Sequence, residues 1–251
     1  MGSITICSII FTFIFGGALL GISLRTSLPE HHFSPDSKDA VKGGMGLVAT
    51  MAALVLGLLV ASAKSSYDAQ NSELTEMSSK VILLDRVLAH YGPESKEARD
   101  QLRDSVVRAL DQMWSKEHTG LSQMGPSSTR SEVLYDKIQA LSPKDEAQRS
   151  IRSQAVNIVI GLGQTRWLMY EQGSNTVSAP LLIVLIFWLT ALFISFGLFA
   201  PRNATVIATL LLSALSVSGA ILLILEMYTP YAGLVHLSDG PLRTALAHLS
   251  Q

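Results

Sequence analysis

Residues 28–71 read LPEHHFSPDSKDAVKGGMGLVATMAALVLGLLVASAKSSYDAQN. The stretch opens as a polar segment with two adjacent histidines, His31 and His32. It turns apolar from Gly43 to Ala63, between Lys42 and Lys64, and leaves as a polar segment that still reads as helix. About 20 apolar residues are needed to cross a bilayer as a helix. The run therefore enters a membrane on one side and delivers the chain to water on the other.

Three more runs meet the same length requirement: Ser3–Leu24, Ala179–Ala200 and Ala204–Met227. The acid Glu226 sits at the end of the last one. The whole chain agrees with this reading. Charged residues make up 16% and the mean hydropathy is +0.35, whereas a soluble domain carries about 25% charged residues. Ser3–Leu24 has no basic residue before it and exceeds the apolar core of a secretory signal, so it is expected to be a retained span. The net charge of −1 offers nothing to a polyanion, so no nucleic-acid partner is expected. The single cysteine, Cys7, excludes an intrachain disulfide, and no zinc-like Cys/His spacing occurs.

The expected fold is all-α, with four spans and a helical extramembrane region between spans 2 and 3. Its divisions are 1–63 (spans 1 and 2), 64–178 (helical region), 179–228 (hairpin of spans 3 and 4) and 229–251 (interfacial helix). Pro201-Arg202-Asn203 is so short a link that spans 3 and 4 must form an antiparallel hairpin. Even parity puts both termini and the 64–178 region on one face. Basic residues flank the spans equally on both sides, so the positive-inside rule does not orient the protein.

The middle region carries helical stripes. Val81, Leu83, Leu84, Val87, Leu88 and Tyr91 form one, ended by Gly92-Pro93, and Leu102, Val106, Leu110, Met113 and Trp114 form another. Gly120–Thr129 reads as a loop, and Ser142-Pro143 as the cap and first residue of a further helix. Thr229-Pro230-Tyr231 breaks the chain before a last amphipathic helix. That helix carries Leu242, Leu246 and Leu249 and is expected to lie on the membrane interface.

Several groups are candidates for function. In span 2, Gly46, Thr50, Ala53, Gly57 and Ala61 recur at spacings of four, three, four and four, which puts them on one helix face. Small residues there either let another span approach closely or line a pore, with Leu54 or Leu58 as an apolar constriction. In span 4, Ser213 and Ser216 either bond back to their own helix or offer donors to an anion losing its water. Glu226 is an ionisable group within a span and so a functional candidate. Arg166 beside Trp167 fits an interface belt or an anion attractor at a pore mouth. Glu30, His31, His32, Asp36 and Asp39 include metal-binding residue types. Adjacent histidines point apart, however, and the better reading is a headgroup loop or a pH-sensitive mouth. Neither a metal nor a cofactor is expected, and the phosphate-loop and nucleophile-elbow patterns of enzymes are missing from the sequence.

The stretch from Leu28 to Gln70, the segment QTRWLMYEQ (164–172) and the tail YTPYAGLVHLSDGPLRTAL (228–246) resemble the marks of the bacterial bestrophin-like family, a group of unknown function. That family is similar in layout to bestrophins, pentameric anion channels whose second span lines a narrow apolar neck. The resemblance implies a homo-oligomer, a pentamer by analogy, that conducts small inorganic ions, anions such as chloride preferred. It also implies Gly43–Ala63 at the pore, the 64–178 region and both termini in the cytoplasm, and location in the bacterial inner membrane among its lipids. The chain departs from bestrophins in having neither an acidic calcium clasp nor phenylalanines in span 2. The alternative is a non-conducting scaffold or sensor whose helical region binds a partner. A metal-dependent membrane enzyme built on His31 and His32 is the remotest reading.

Overall fold

The computed structural model describes residues 2–27, 29, 34–114, 129–173, 177–231 and 233–249. They form helices α1 (Ser3–Ser27), α2 (Pro35–Tyr91), α3 (Lys96–Trp114), α4 (Thr129–Gln139), α5 (Glu146–Gly173), α6 (Ala179–Phe199), α7 (Ala204–Met227) and α8 (Gly240–His248), with a 3-10 turn over Pro93–Ser95. No strand occurs among the described residues. Four helices, α1, α2, α6 and α7, are long and apolar enough to cross a membrane. The chain divides into two compact units. One comprises Met1–Ser65 with Thr176–Tyr228, the other Ser66–Asn175 with Thr229–Gln251. The α2 helix runs unbroken from the first unit into the second.

Local chemistry sets the helix ends. The Asn203 side chain accepts from the Val206 backbone N–H at 2.8 Å and caps α7, satisfying a donor that has no partner in the first turn. Ahead of it, Ala200 is extended, the conformation that the following Pro201 imposes. At the far end of α2, Gly92 adopts φ 122°, a region open to glycine and strained for other residues. Ser95 Oγ then donates to the Leu88 carbonyl at 2.6 Å, so the buried end of the helix is satisfied. The cap of α5 lies three residues later than Ser142. Asp145 Oδ1 accepts from Gln148 N–H at 2.7 Å, and Gln148 Oε1 accepts from Lys144 N–H at 2.8 Å. This reciprocal arrangement resembles a capping box, and it outcompetes a serine that has no glutamine in the matching position.

In the first unit the tightest packing is between α1 and α6. Cβ atoms built on Gly21 and Gly197 would each lie 2.1 Å from a backbone oxygen, of Ile194 and Ala18 respectively. The two backbones touch, as small residues allow in membranes. Ile10, Ile14, Leu185, Leu189 and Phe193 fill the core around this contact. At one end Arg25 donates to the Ala200 carbonyl, and Arg202 donates to the Ile22 carbonyl at 3.0 Å and to Thr26 Oγ1 at 3.1 Å. The end of α1 and the α6–α7 turn therefore share one face, as an even number of spans requires. Phe13 and Leu20 of α1, Ile183 and Phe187 of α6, and Leu212 and Leu215 of α7 point outward, which suits a lipid surround.

The second unit has its own core, centred on Leu74, Leu84 and Leu88 of α2, Leu102 and Met113 of α3, Ile138 of α4 and Ala155 and Met169 of α5. Asp85, 4% exposed, forms a two-bonded pair with Arg99 at 2.7 and 3.0 Å, so its burial is compensated. Lys80 Nζ ties α2 to α5 through the Gly161 carbonyl at 3.2 Å and Thr165 Oγ1 at 2.9 Å. The sequence places the last helix on the membrane interface. In the structure Leu242, Ala245 and Leu249 of α8 are buried in this second core instead. Trp114 holds the segment before it, donating to the Leu237 carbonyl at 2.9 Å and packing edge-on against Tyr231.

Replacing Gly21 or Gly197 by leucine should lower the melting temperature sharply or abolish a monodisperse peak in fluorescence-detected size exclusion, since overpacking costs about 1–3 kcal/mol even where side chains can yield. The comparison is Gly57→Ala, whose added Cβ meets nothing within 4 Å and which should leave the melting temperature unchanged or raise it. Equal losses from all three would refute the contact.

Candidate functional site

The pore-lining candidates of span 2 share one face of α2, and that face is turned away from the chain's own core. Gly46, Thr50, Ala53, Leu54, Gly57, Leu58 and Ala61 are all exposed, Leu54 at 61% and Leu58 at 70%. The opposite side buries Ala52, Leu59 and Ala63. Cβ atoms on Gly46 and Gly57 would meet nothing within 4 Å. Gly46 and Gly57 thus serve no close contact among the described residues; that role falls to Gly21 and Gly197. Thr50 Oγ1 donates to the Gly46 carbonyl at 2.9 Å, which leaves its oxygen free to accept. At the edge of this face, Lys42, Gly46 and Ala49 join Phe196, Val206 and Thr209 around a groove of about 510 Å³.

The other candidates are dispersed. Ser213 and Ser216 are exposed on α7, and Ser216 Oγ donates to the Leu212 carbonyl of its own helix at 2.9 Å. Ser218, by contrast, is buried, and Cys7 Sγ donates to its carbonyl at 3.2 Å. Glu226 is 4% exposed, a charged residue type enclosed near the end of a span. Close by, Ser62 Oγ and the Tyr228 hydroxyl lie 3.0 Å apart. Arg166 is not in the span-bearing unit. It is half-buried in the second unit, where it lines a cavity of about 130 Å³ together with Arg108. His31 and His32 lie outside the described residues. Among the described residues no group of three or more His, Cys, Asp or Glu is placed to hold a metal ion.

A polar cluster in the second unit escapes a motif-based reading. Gln172 Nε2 donates to Glu73 Oε1, while Glu73 Oε2, Gln70 Oε1 and the Tyr231 hydroxyl are shut from solvent with no hydrogen-bond partner among the described residues. Gln70 is 1% exposed. It stands at the head of the stripe that continues through Leu74, Met77 and Val81, so a glutamine in line with core positions was the available signal. Burial, and then the nearby Glu76, raise the Glu73 carboxyl above its ordinary value, against the lowering effect of Gln172. Burial, with Glu73 second, likewise pushes the Tyr231 hydroxyl up. The cluster favours neutral forms, as desolvation does.

These features define a multi-span helical membrane protein with an open small-residue face on one span. A family model, the Bestrophin-like domain, matches residues 12–242, and the chain belongs to that family. No curated protein and no solved structure matches it.

The Glu73 environment has a pH signature. A carboxyl held above its ordinary value of 4.5 costs no stability at low pH, where folded and unfolded forms are both protonated. The cost grows as pH rises from 4.5 towards the raised value and is complete above it. Glu73→Gln should therefore raise the melting temperature at pH 8 by roughly 1–3 °C, with the gap closing as pH falls towards 4.5. A difference that does not vary with pH would trace the effect to the Gln172 contact instead.

Proposed function

We propose that this chain assembles with copies of itself into an ion channel of the bacterial inner membrane, anions preferred, with α2 lining the path. The observation that carries the reading is the open face of Gly46, Thr50, Ala53 and Gly57, which no other described residue of the span-bearing unit covers. A span facing lipid alone gains nothing from small residues and a hydroxyl turned outward, whereas close approach of copies around a narrow path uses both. Leu54 and Leu58 beside that face supply an apolar constriction that gates by drying. Membership of the Bestrophin-like family and the likeness of that layout to anion channels support the same choice. By that likeness, the second unit and both termini are cytoplasmic, and the permeant ion is chloride.

A scaffold or sensor that conducts nothing is the second reading. It is favoured by apolar side chains exposed on the second unit, among them Leu83, Val107 and Ile160, which offer a surface to a partner as well as to another copy.

Purified protein reconstituted in liposomes should pass chloride faster than potassium, and Thr50→Trp should cut chloride flux by roughly tenfold or more if the side chain fills a narrow pore. Thr50→Ser should conduct like the parent. An intact oligomer that passes no small ion would rule out the channel and leave the scaffold.

A further inference from the structure

The second unit contains a cavity of about 130 Å³ between α2, α3, α4, α5 and α8. Much of its wall is aliphatic, with Val81, Val106 and Val159 contributing from three helices. Its polar groups are concentrated on α3 and α5. Ser105, Arg108 and Gln112 recur at three and four residues along α3, which sets them on one strip of that helix, and Arg166 comes from α5. Among the described residues two arginines line the cavity and no acid does. Arg108 Nε is closed off from solvent and bonds nothing among the described residues.

A buried guanidinium donor left unmade is costly, and folded proteins rarely keep one without a use. The group that answers it has two oxygens side by side, since the guanidinium fork matches a carboxylate. The aliphatic wall requires the rest of the ligand to be apolar, which disfavours chloride, phosphate or sulfate alone. The cavity is open on one side, and its inner part has room for one benzene-sized group, since an apolar cavity of about 150 Å³ holds one such molecule. We propose that this cavity binds a small organic monocarboxylate, its carboxylate on Arg108 and its apolar body against Val81, Val106 and Val159. The site stands whether or not the protein conducts ions.

The test uses the full chain in a non-ionic detergent, with benzoate and its neutral counterpart benzamide as probes in calorimetric titration. The parent chain should bind benzoate saturably and benzamide at least roughly tenfold more weakly, the discrimination of one charge-assisted hydrogen bond. Arg108→Gln should remove that preference. 4-Azidobenzoate should photolabel peptides from α3 or α5, in competition with benzoate. Equal affinity of the parent chain for the two probes, binding of neither, or labelling confined to other helices would each overturn the proposal. So would a folded Arg108→Gln protein that keeps the preference. The parent-chain ratio and the labelling position decide the matter even where the variant does not fold.

Discussion

The backbone contact between α1 and α6 is the constraint on which the span-bearing unit rests. Gly21 and Gly197 each leave room for the other helix's carbonyl, and no side chain of any size can stand in. In lipid no hydrophobic effect presses apolar helices together, so shape and close approach must do it. Once α1 and α6 are locked, Pro201 and Asn203 force α7 back alongside. Arg25 and Arg202 then fasten the shared end by donating to the Ala200 and Ile22 carbonyls. The large apolar side chains can be left on the outside because the glycines carry the packing.

This arrangement explains why α2 is free to do something else. Its inner side contributes Ala52, Leu59 and Ala63 to the same core, while Gly46, Thr50, Ala53 and Gly57 on the other side are left exposed. Beyond residue 65 the same helix becomes the central stripe of the second unit through Leu74, Leu84 and Leu88. One helix thus serves two solvents, changing composition without breaking. The second unit shows the opposite use of polarity. Asp85 is buried with a full partner in Arg99, whereas the Glu73 cluster and half-buried Arg108 hold closed-off atoms with no partner among the described residues.

Much of the architecture was legible from sequence because it follows from length and period. Span 4 was readable to the residue, Ala204 to Met227, since Asn203 caps one end and the apolar run stops at the other. The Gly92-Pro93 break was equally plain. Misreadings arose where a residue's role depends on what comes near it in space. Sequence left the small residues of span 2 open between a packing seam and a pore wall, and it gave no sign that Gly21 and Gly197 make the close contact, a pairing of positions 176 residues apart. Leu242 and Leu249 looked like a membrane-facing side because an amphipathic helix has the same pattern whether lipid or a protein core covers it. Arg166 stood out beside Trp167, while Arg108, which shares its cavity, resembled any charge on a solvated helix.

The glycines of α2 have one further consequence. Gly43, Gly44 and Gly46 fall within four positions, and an added Cβ at any of them would meet nothing within 4 Å. Each weakens a helix by about 1 kcal/mol relative to alanine, and no contact within the chain offsets the loss. This first part of the span is therefore the softest length of the helix, where unwinding or bending by a few degrees costs least. The rest of α2, Gly57 apart, has side chains at every position to resist it. Compliance is concentrated at one end of an otherwise stiff rod.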